Sequence, residues 1–219
     1  MGCHCHHKKS NQEIYHINQS IIGIVPIGQD SESLLNQLAH KEWYLPFLEK
    51  MSEHRRCEWL SVRILLKKLT GTEKEIRYHA SGKPYLADQS YHIGISHTKG
   101  YVAVILSKEK EVAVDIEHIS PRVEKIKERF ISEEEERNLS KENELHHLLL
   151  HWSAKESLFK ILDEENIEFK TQLHINPFEP EINTLAEFPA CETRTAKQQK
   201  FVINYMITDN YVLTCIVSD

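Results

Sequence analysis

The chain has 219 residues, 40% hydrophobic and 27% charged, with only 7 Gly and 7 Pro; this globular composition excludes a disordered, collagen-like or rod-like chain and leaves room for one large domain or two lobes of about 100 residues. Its 27 Lys and Arg against 33 Asp and Glu give a formal net charge of −6 with the 14 His neutral, which, in the absence of a local basic patch, excludes nucleic acid as a partner. Five cysteines, scattered outside the Cys3/Cys5 pair, fit a reduced cytoplasmic protein better than a disulfide framework, and no apolar run reaches the roughly 18 to 20 residues of a membrane span or marks a secretion signal.

Residues 1–12 read as a flexible tail. Cys3, His4, Cys5, His6 and His7 crowd soft-metal ligands into it, but adjacent ligands with no second pair at zinc-finger spacing favour adventitious capture over a closed tetrahedral site. The β-branched segment from Ile14 to Ile27, ending in Pro26 and Gly28, predicts a strand or hairpin. Helical spacing follows over Glu32 to Trp43 and again over Glu53 to Leu69. In the second helix Trp59, Val62, Leu65, Leu66 and Leu69 share a side, Arg55, Arg56, Arg63 and Lys67 form a solvated face, and Gly71 ends the run.

A turn at Ser81-Gly82-Lys83-Pro84 leads into consecutive strands from Tyr91 to Glu117, broken near Lys99-Gly100 and Lys108 to Lys110. A charged helical stretch over Pro121 to Leu139 carries a capping-box pattern, Ser132 followed by Glu135, and the run Glu133 to Glu136 serves helix initiation and solvation. From Leu145 to Leu162 a helix places Trp152, Glu156 and Lys160 on one face, with Leu158, Phe159, Ile161 and Leu162 available to bury the other. Short strands punctuated by Pro177, Pro180 and Pro189 close the chain in a hairpin turning at Asp209-Asn210. Residues 100–107 and 210–218 share a pattern half a chain apart, which either a duplicated α+β unit or chance explains.

In the run from Val112 to Glu117 the side chains alternate, so Val112, Val114 and Ile116 face one way and Ala113, Asp115 and Glu117 the other. The two carboxylates stand about 7 Å apart along the backbone at about 3.3 Å per residue. With Glu156 they make three oxygen ligands for Mg²⁺, leaving positions for water and phosphate oxygens. Lys160, one turn beyond Glu156, is placed to stabilise a leaving phosphate.

Gly82-Lys83-Pro84, Ile95-Ser96-His97, Val114-Asp115-Ile116-Glu117 and the nine residues from Trp152 to Lys160 stand in an order and spacing that resemble the 4′-phosphopantetheinyl transferases, in particular the long, Sfp-like type. The resemblance covers about residues 55 to 162 and echoes weakly in the last strands. It implies an α+β fold of two pseudo-symmetry-related α/β lobes in a monomer, residues 13–118 forming the first lobe and 119–219 the second. The implied reaction moves the phosphopantetheine arm of coenzyme A onto a serine hydroxyl of an apo acyl or peptidyl carrier protein, releasing adenosine 3′,5′-bisphosphate. Asp115, Glu117 and Glu156 would then hold Mg²⁺, Glu156 would take the serine proton directly or through a bound water, and Lys160 would assist the leaving group. Lys83, Pro84, Ser96 and His97 would bind coenzyme A, with Lys83 and His97 near its 3′-phosphate and Pro84 near the adenine. The chain departs from its relatives where a basic cluster meets that phosphate: the stretch from Ala39 to Lys50 offers only Lys41 and Lys50, and Arg55 or Arg56 are the candidate substitutes. A metal-dependent hydrolase lacks an HExxH or paired-ligand pattern, and a catalytically silent module binding coenzyme A or a carrier protein does not call for intact Asp115, Glu117, Glu156 and Lys160.

Overall fold

The computed structural model describes residues 12–218, so the Cys/His cluster at positions 3–7 lies outside the described residues. Strands β1 (Glu13–Ile17) and β2 (Ser20–Pro26) form the expected hairpin. Both residues of its turn, Asn18 and Gln19, have positive φ, the geometry that matches the twist of a tight two-residue connection. After α1 (Ser31–Leu35), a 3₁₀ turn (Lys41–Trp43) and α2 (Leu45–Leu48), the long helix α3 (Glu53–Thr70) begins at an N-cap, Ser52, whose side chain accepts the Arg55 N–H.

The single helix expected over Glu32 to Trp43 is therefore broken. The carboxylate of Glu73 accepts the backbone N–H groups of Ala39 and His40 and the hydroxyl of Tyr44, so a distant acidic side chain captures donors that an unbroken helix would have used internally. The solvated face expected on α3 is also interrupted. Arg63 is 3% exposed, its guanidinium lies 3.2 Å from the Trp59 ring centroid and it bonds the Trp59 carbonyl and the Tyr78 hydroxyl.

The chain continues through β3 (Ile76–Tyr78), β4 (Pro84–Leu86), β5 (His92–Thr98), β6 (Tyr101–Ser107) and β7 (Glu111–His118). A 3₁₀ stretch (Pro121–Arg129) and the short α4 (Glu133–Arg137) replace the helix expected over Pro121 to Leu139, although the capping box of Ser132 and Glu135 is present. Helix α5 (Glu144–Leu162) follows, then α6 (Phe169–Gln172), β8 (Leu173–Ile175), β9 (Leu185–Glu192) and the closing hairpin of β10 (Lys200–Ile207) and β11 (Tyr211–Ser218).

Two antiparallel sheets result, ordered β1-β2-β6-β5 and β7-β11-β10-β9-β8, with β3 and β4 a separate ribbon. The chain crosses between the sheets at the β6–β7 turn. Three apolar interfaces stack the elements as helix, sheet, sheet, helix. Val62, Leu65 and Leu66 of α3 pack on Val102, Val104 and Leu106. The far faces of both sheets meet through Ile22, Ile24, Ala103 and Ile105 against Val112, Val114, Ile116, Leu213 and Cys215, which confirms the side predicted for the apolar residues of β7. Leu150, Ala154 and Leu158 of α5 pack on the second sheet with Ile203, Tyr205 and Val212. Burial of each such aliphatic side chain contributes roughly 1.5 to 3 kcal/mol. Phe159, expected in that buried side, is 40% exposed because it follows Leu158 around the helix toward an open cleft. The α+β class read from the sequence holds, and among the described residues no helix is long and apolar enough to cross a membrane.

Candidate active site

Small residues bring α5 onto the second sheet. Ser153, Ala154 and Ser157 are fully buried, and both serine hydroxyls lie 2.9 Å from the Thr214 hydroxyl of β11. This close approach carries the opposite edge of the helix, with Trp152, Glu156 and Lys160, over β7. Trp152 donates its indole N–H to Glu117 Oε1 at 2.7 Å. The Lys160 ammonium donates to Asp115 Oδ1 at 2.7 Å, to the Val114 carbonyl at 3.1 Å and to Ser96 Oγ at 3.2 Å. Ser96 in turn donates to Asp115 Oδ1 at 3.0 Å. β5 can lie this close because it carries Gly94, where a Cβ would stand 3.3 Å from both Ala113 Cα and Val114 N.

Asp115, Glu117, Glu156, Lys160 and Ser96 are thus brought together from β5, β7 and α5. Asp115 is 5% exposed and its Oδ2 is buried without a hydrogen-bond partner. Burial, and after it the charge of Asp115, pushes the carboxyls of Glu117 and Glu156 up to about 7. One buried and two half-buried carboxyls with one ammonium among them form an electrostatically incomplete set. Among the described residues no three His, Cys, Asp or Glu side chains close into a ready metal-ligating group. The orphaned Asp115 oxygen and the all-oxygen donor set nevertheless fit a hard divalent cation.

The remaining expected residues fall into two clusters. His97 Nε2 lies 2.8 Å from Arg55 Nη1, and the same Arg55 nitrogen bonds Glu58 Oε2 at 3.1 Å. Arginine can only donate, so His97 Nε2 accepts and the ring carries its proton on Nδ1; burial, countered by the charge of Glu58, holds the His97 pKa below its ordinary value. Lys83 instead pairs with Glu111 at 2.9 Å, and His92 holds the other oxygen of that carboxylate at 3.0 Å. The structure therefore does not bring Lys83 to His97.

Two hollows flank the carboxylates. A cleft of about 510 Å³ is lined by Lys83, Pro84, Gly94, Phe159 and Lys160 among others. A second, of about 550 Å³, is bordered by Thr98, Lys99, Glu117, Arg122, Leu149 and Trp152. Sequence reasoning missed Glu58 and the Trp152–Glu117 bond. Spacing alone could have flagged Glu58, three residues after Arg55 on one helical face.

Comparison with known proteins places these features. Residues 111–216 match the family model for the 4′-phosphopantetheinyl transferase superfamily. The 4′-phosphopantetheinyl transferases AcpT of Salmonella typhimurium and Escherichia coli K12 are 39% and 41% identical to this chain over 69 residues, 31% of its length. The match spans about a third of the length of those relatives, 36% and 35%. The family match begins at the first residue of β7 and ends within β11, so it takes in both elements that supply the carboxylates, and over this segment, just under half of the chain, the protein is similar to the 4′-phosphopantetheinyl transferase superfamily.

Proposed function

We propose that this chain is a transferase of the long, Sfp-like type, a cytoplasmic monomer of two pseudo-symmetric lobes, which moves the 4′-phosphopantetheine arm of coenzyme A to a serine of an apo carrier protein. The observation that carries this reading is the position of Asp115, Glu117, Glu156 and Lys160 between two hollows, one for each substrate. Coenzyme A takes the cleft lined by Lys83, Pro84 and Lys160. Arg55 and His97 add donors for its phosphates, while Ser96 holds Asp115 in place. The carrier serine enters from the second hollow, whose Lys99, His118 and Arg122 supply a local basic rim that fits an acidic carrier surface despite the net negative chain.

Asp115, Glu117 and Glu156 would hold Mg²⁺, which when bound neutralises the pyrophosphate. Glu156 takes the serine proton, directly or through a water. The serine oxygen forms its bond to the phosphorus bearing the pantetheine arm, the bond from that phosphorus to the bridging oxygen breaks, and adenosine 3′,5′-bisphosphate leaves. Lys160 offers its ammonium to the charge growing on that leaving group.

Intact mass spectrometry of an apo carrier protein incubated with this chain, coenzyme A and Mg²⁺ tests the reading. A gain of one phosphopantetheine, lost with EDTA and with Glu156→Gln, is expected. Coenzyme A binding with no gain on several unrelated carriers would replace the transferase with a silent binding module.

A further inference from the structure

The end of β7 that carries Glu117 is held by the other sheet through side chains. β5 and β7 run side by side where the sheets meet, yet they belong to separate hydrogen-bonded sheets. On its outer edge β7 is paired residue by residue with β11. On the edge facing β5, the Ile116 N–H donates to the Ser96 hydroxyl at 3.3 Å and the His118 N–H to the Thr98 hydroxyl at 2.9 Å, while the Val114 carbonyl accepts Lys160. Ser96 and Lys160 belong to the site already described, and Thr98 is the member of this seam that the chemistry has not used.

Thr98 is itself well anchored. It closes β5, opposite Tyr101 across the turn, and that turn is fixed by Gly100 at φ 85° and by the Ile27 N–H donating to the Gly100 carbonyl at 2.8 Å. From the other side, the His118 ring nitrogen and the Ile119 N–H both meet the Asn210 carbonyl. The residue directly after Glu117 is therefore clamped between Thr98 of the first sheet and Asn210 of the turn that joins β10 to β11. Thr98 and Glu117 also border the same hollow.

We propose that Thr98 is a positioning residue: by accepting the His118 N–H it fixes the Glu117 carboxylate at the point where a divalent cation and the acceptor hydroxyl meet. The inference rests on the transferase reading above. What the position requires is an oxygen acceptor one bond from Cβ. Serine supplies it, whereas valine matches the shape of threonine and leaves the His118 N–H without its partner. Groups that orient a metal-ligating carboxylate typically change metal affinity by roughly 10- to 100-fold when removed.

The test reads metal binding apart from turnover. Mn²⁺ is titrated into the full chain and the free ion is followed by electron paramagnetic resonance, for wild type, Thr98→Val and Thr98→Ser. The expected result is a rise of roughly tenfold in the half-saturating Mn²⁺ for Thr98→Val, near-wild-type binding for Thr98→Ser, and a transfer rate that falls and recovers in parallel at unchanged coenzyme A KM. Circular dichroism checks the fold, and Thr98→Ala takes the place of the valine variant if that one is perturbed. Wild-type Mn²⁺ affinity in the variant lacking the hydroxyl, or a serine variant as weak as the valine one, overturns the role of Thr98 and leaves the transferase reading to the carrier assay. A wild-type chain that binds no Mn²⁺ overturns both this inference and the metal assignment beneath it.

Discussion

At Asp115 two oxygens of one carboxylate have different duties. Oδ1 is fully engaged by Lys160 and Ser96, while Oδ2 is buried with no partner. Asp115→Asn keeps an acceptor toward Lys160 and places an amide N–H₂ where the free oxygen stands. The fold should lose about 1 to 3 kcal/mol, since the Lys160 ammonium keeps an acceptor but a buried amide donor stands where no partner is present. Divalent-ion binding should drop by at least roughly tenfold, because a donor then faces the cation. Thermal melts and calorimetric Mg²⁺ titration measure the two effects separately; unchanged Mg²⁺ affinity would remove Asp115 from the ligand set. Asp115, Glu117, Glu156 and Lys160 were legible in the sequence because strand and helix periods fix which residues share a face. Thr98 and the bond between Arg55 and His97 were not, because they depend on how two sheets and a helix approach one another, which no period encodes.

At the scale of elements, the face of α5 that points at β7 is set by what locks the helix from behind. Lys155 is fully buried and its ammonium donates to the Phe130 carbonyl at 2.6 Å, to Glu135 Oε2 at 2.8 Å and to the Phe169 carbonyl at 3.0 Å. Glu135 also accepts the N–H groups of Ser132 and Ile175. One buried ion pair thus ties α4, α6 and β8 to the helix that carries Glu156. Lys155→Met strands the Glu135 charge and should cost about 3 to 5 kcal/mol, read as a lowered Tm and denaturation midpoint; a loss below about 1 kcal/mol would show that the pair does not hold α5. From sequence the acidic run at Glu133 to Glu136 serves helix initiation and solvation. The cap is present, but Glu135 is also 5% exposed, because β8 and α5, remote in sequence, close over it. The lost helix over Glu32 to Trp43 has the same origin: Glu73 acts from more than thirty positions away.

For the whole molecule, acid acts on two buried groups of opposite sign. His147 and His151, one turn apart on α5 and 1% and 2% exposed, have pKa values lowered by burial, His151 further by the charges of His147 and Lys155. A histidine with a depressed folded pKa stabilises the fold above its unfolded pKa of about 6.5 and withdraws that stability as pH falls below it, because the unfolded chain then binds more protons. Glu117 and Glu156 work in the other direction. Their folded pKa of about 7 lies above the unfolded value, so the strain of their charges is present at pH 8 and relieved as pH falls through about 7. In EDTA the chain should therefore gain stability from pH 8 to about 6.5 and then level off, as two histidines and two carboxyls oppose each other at up to about 1.4 kcal/mol per group and pH unit. Glu156→Gln removes one of the opposing carboxyls and should convert the plateau into a fall with acid, while His151→Leu should convert it into a rise. Saturating Mg²⁺ should raise Tm more at pH 8 than at pH 6, since protons and the cation compete for the same oxygens. Melting curves from pH 5 to 8, with and without Mg²⁺, decide the matter. A Mg²⁺ effect equal at both ends would mean that the carboxyls titrating near neutrality are not the ones that hold the ion.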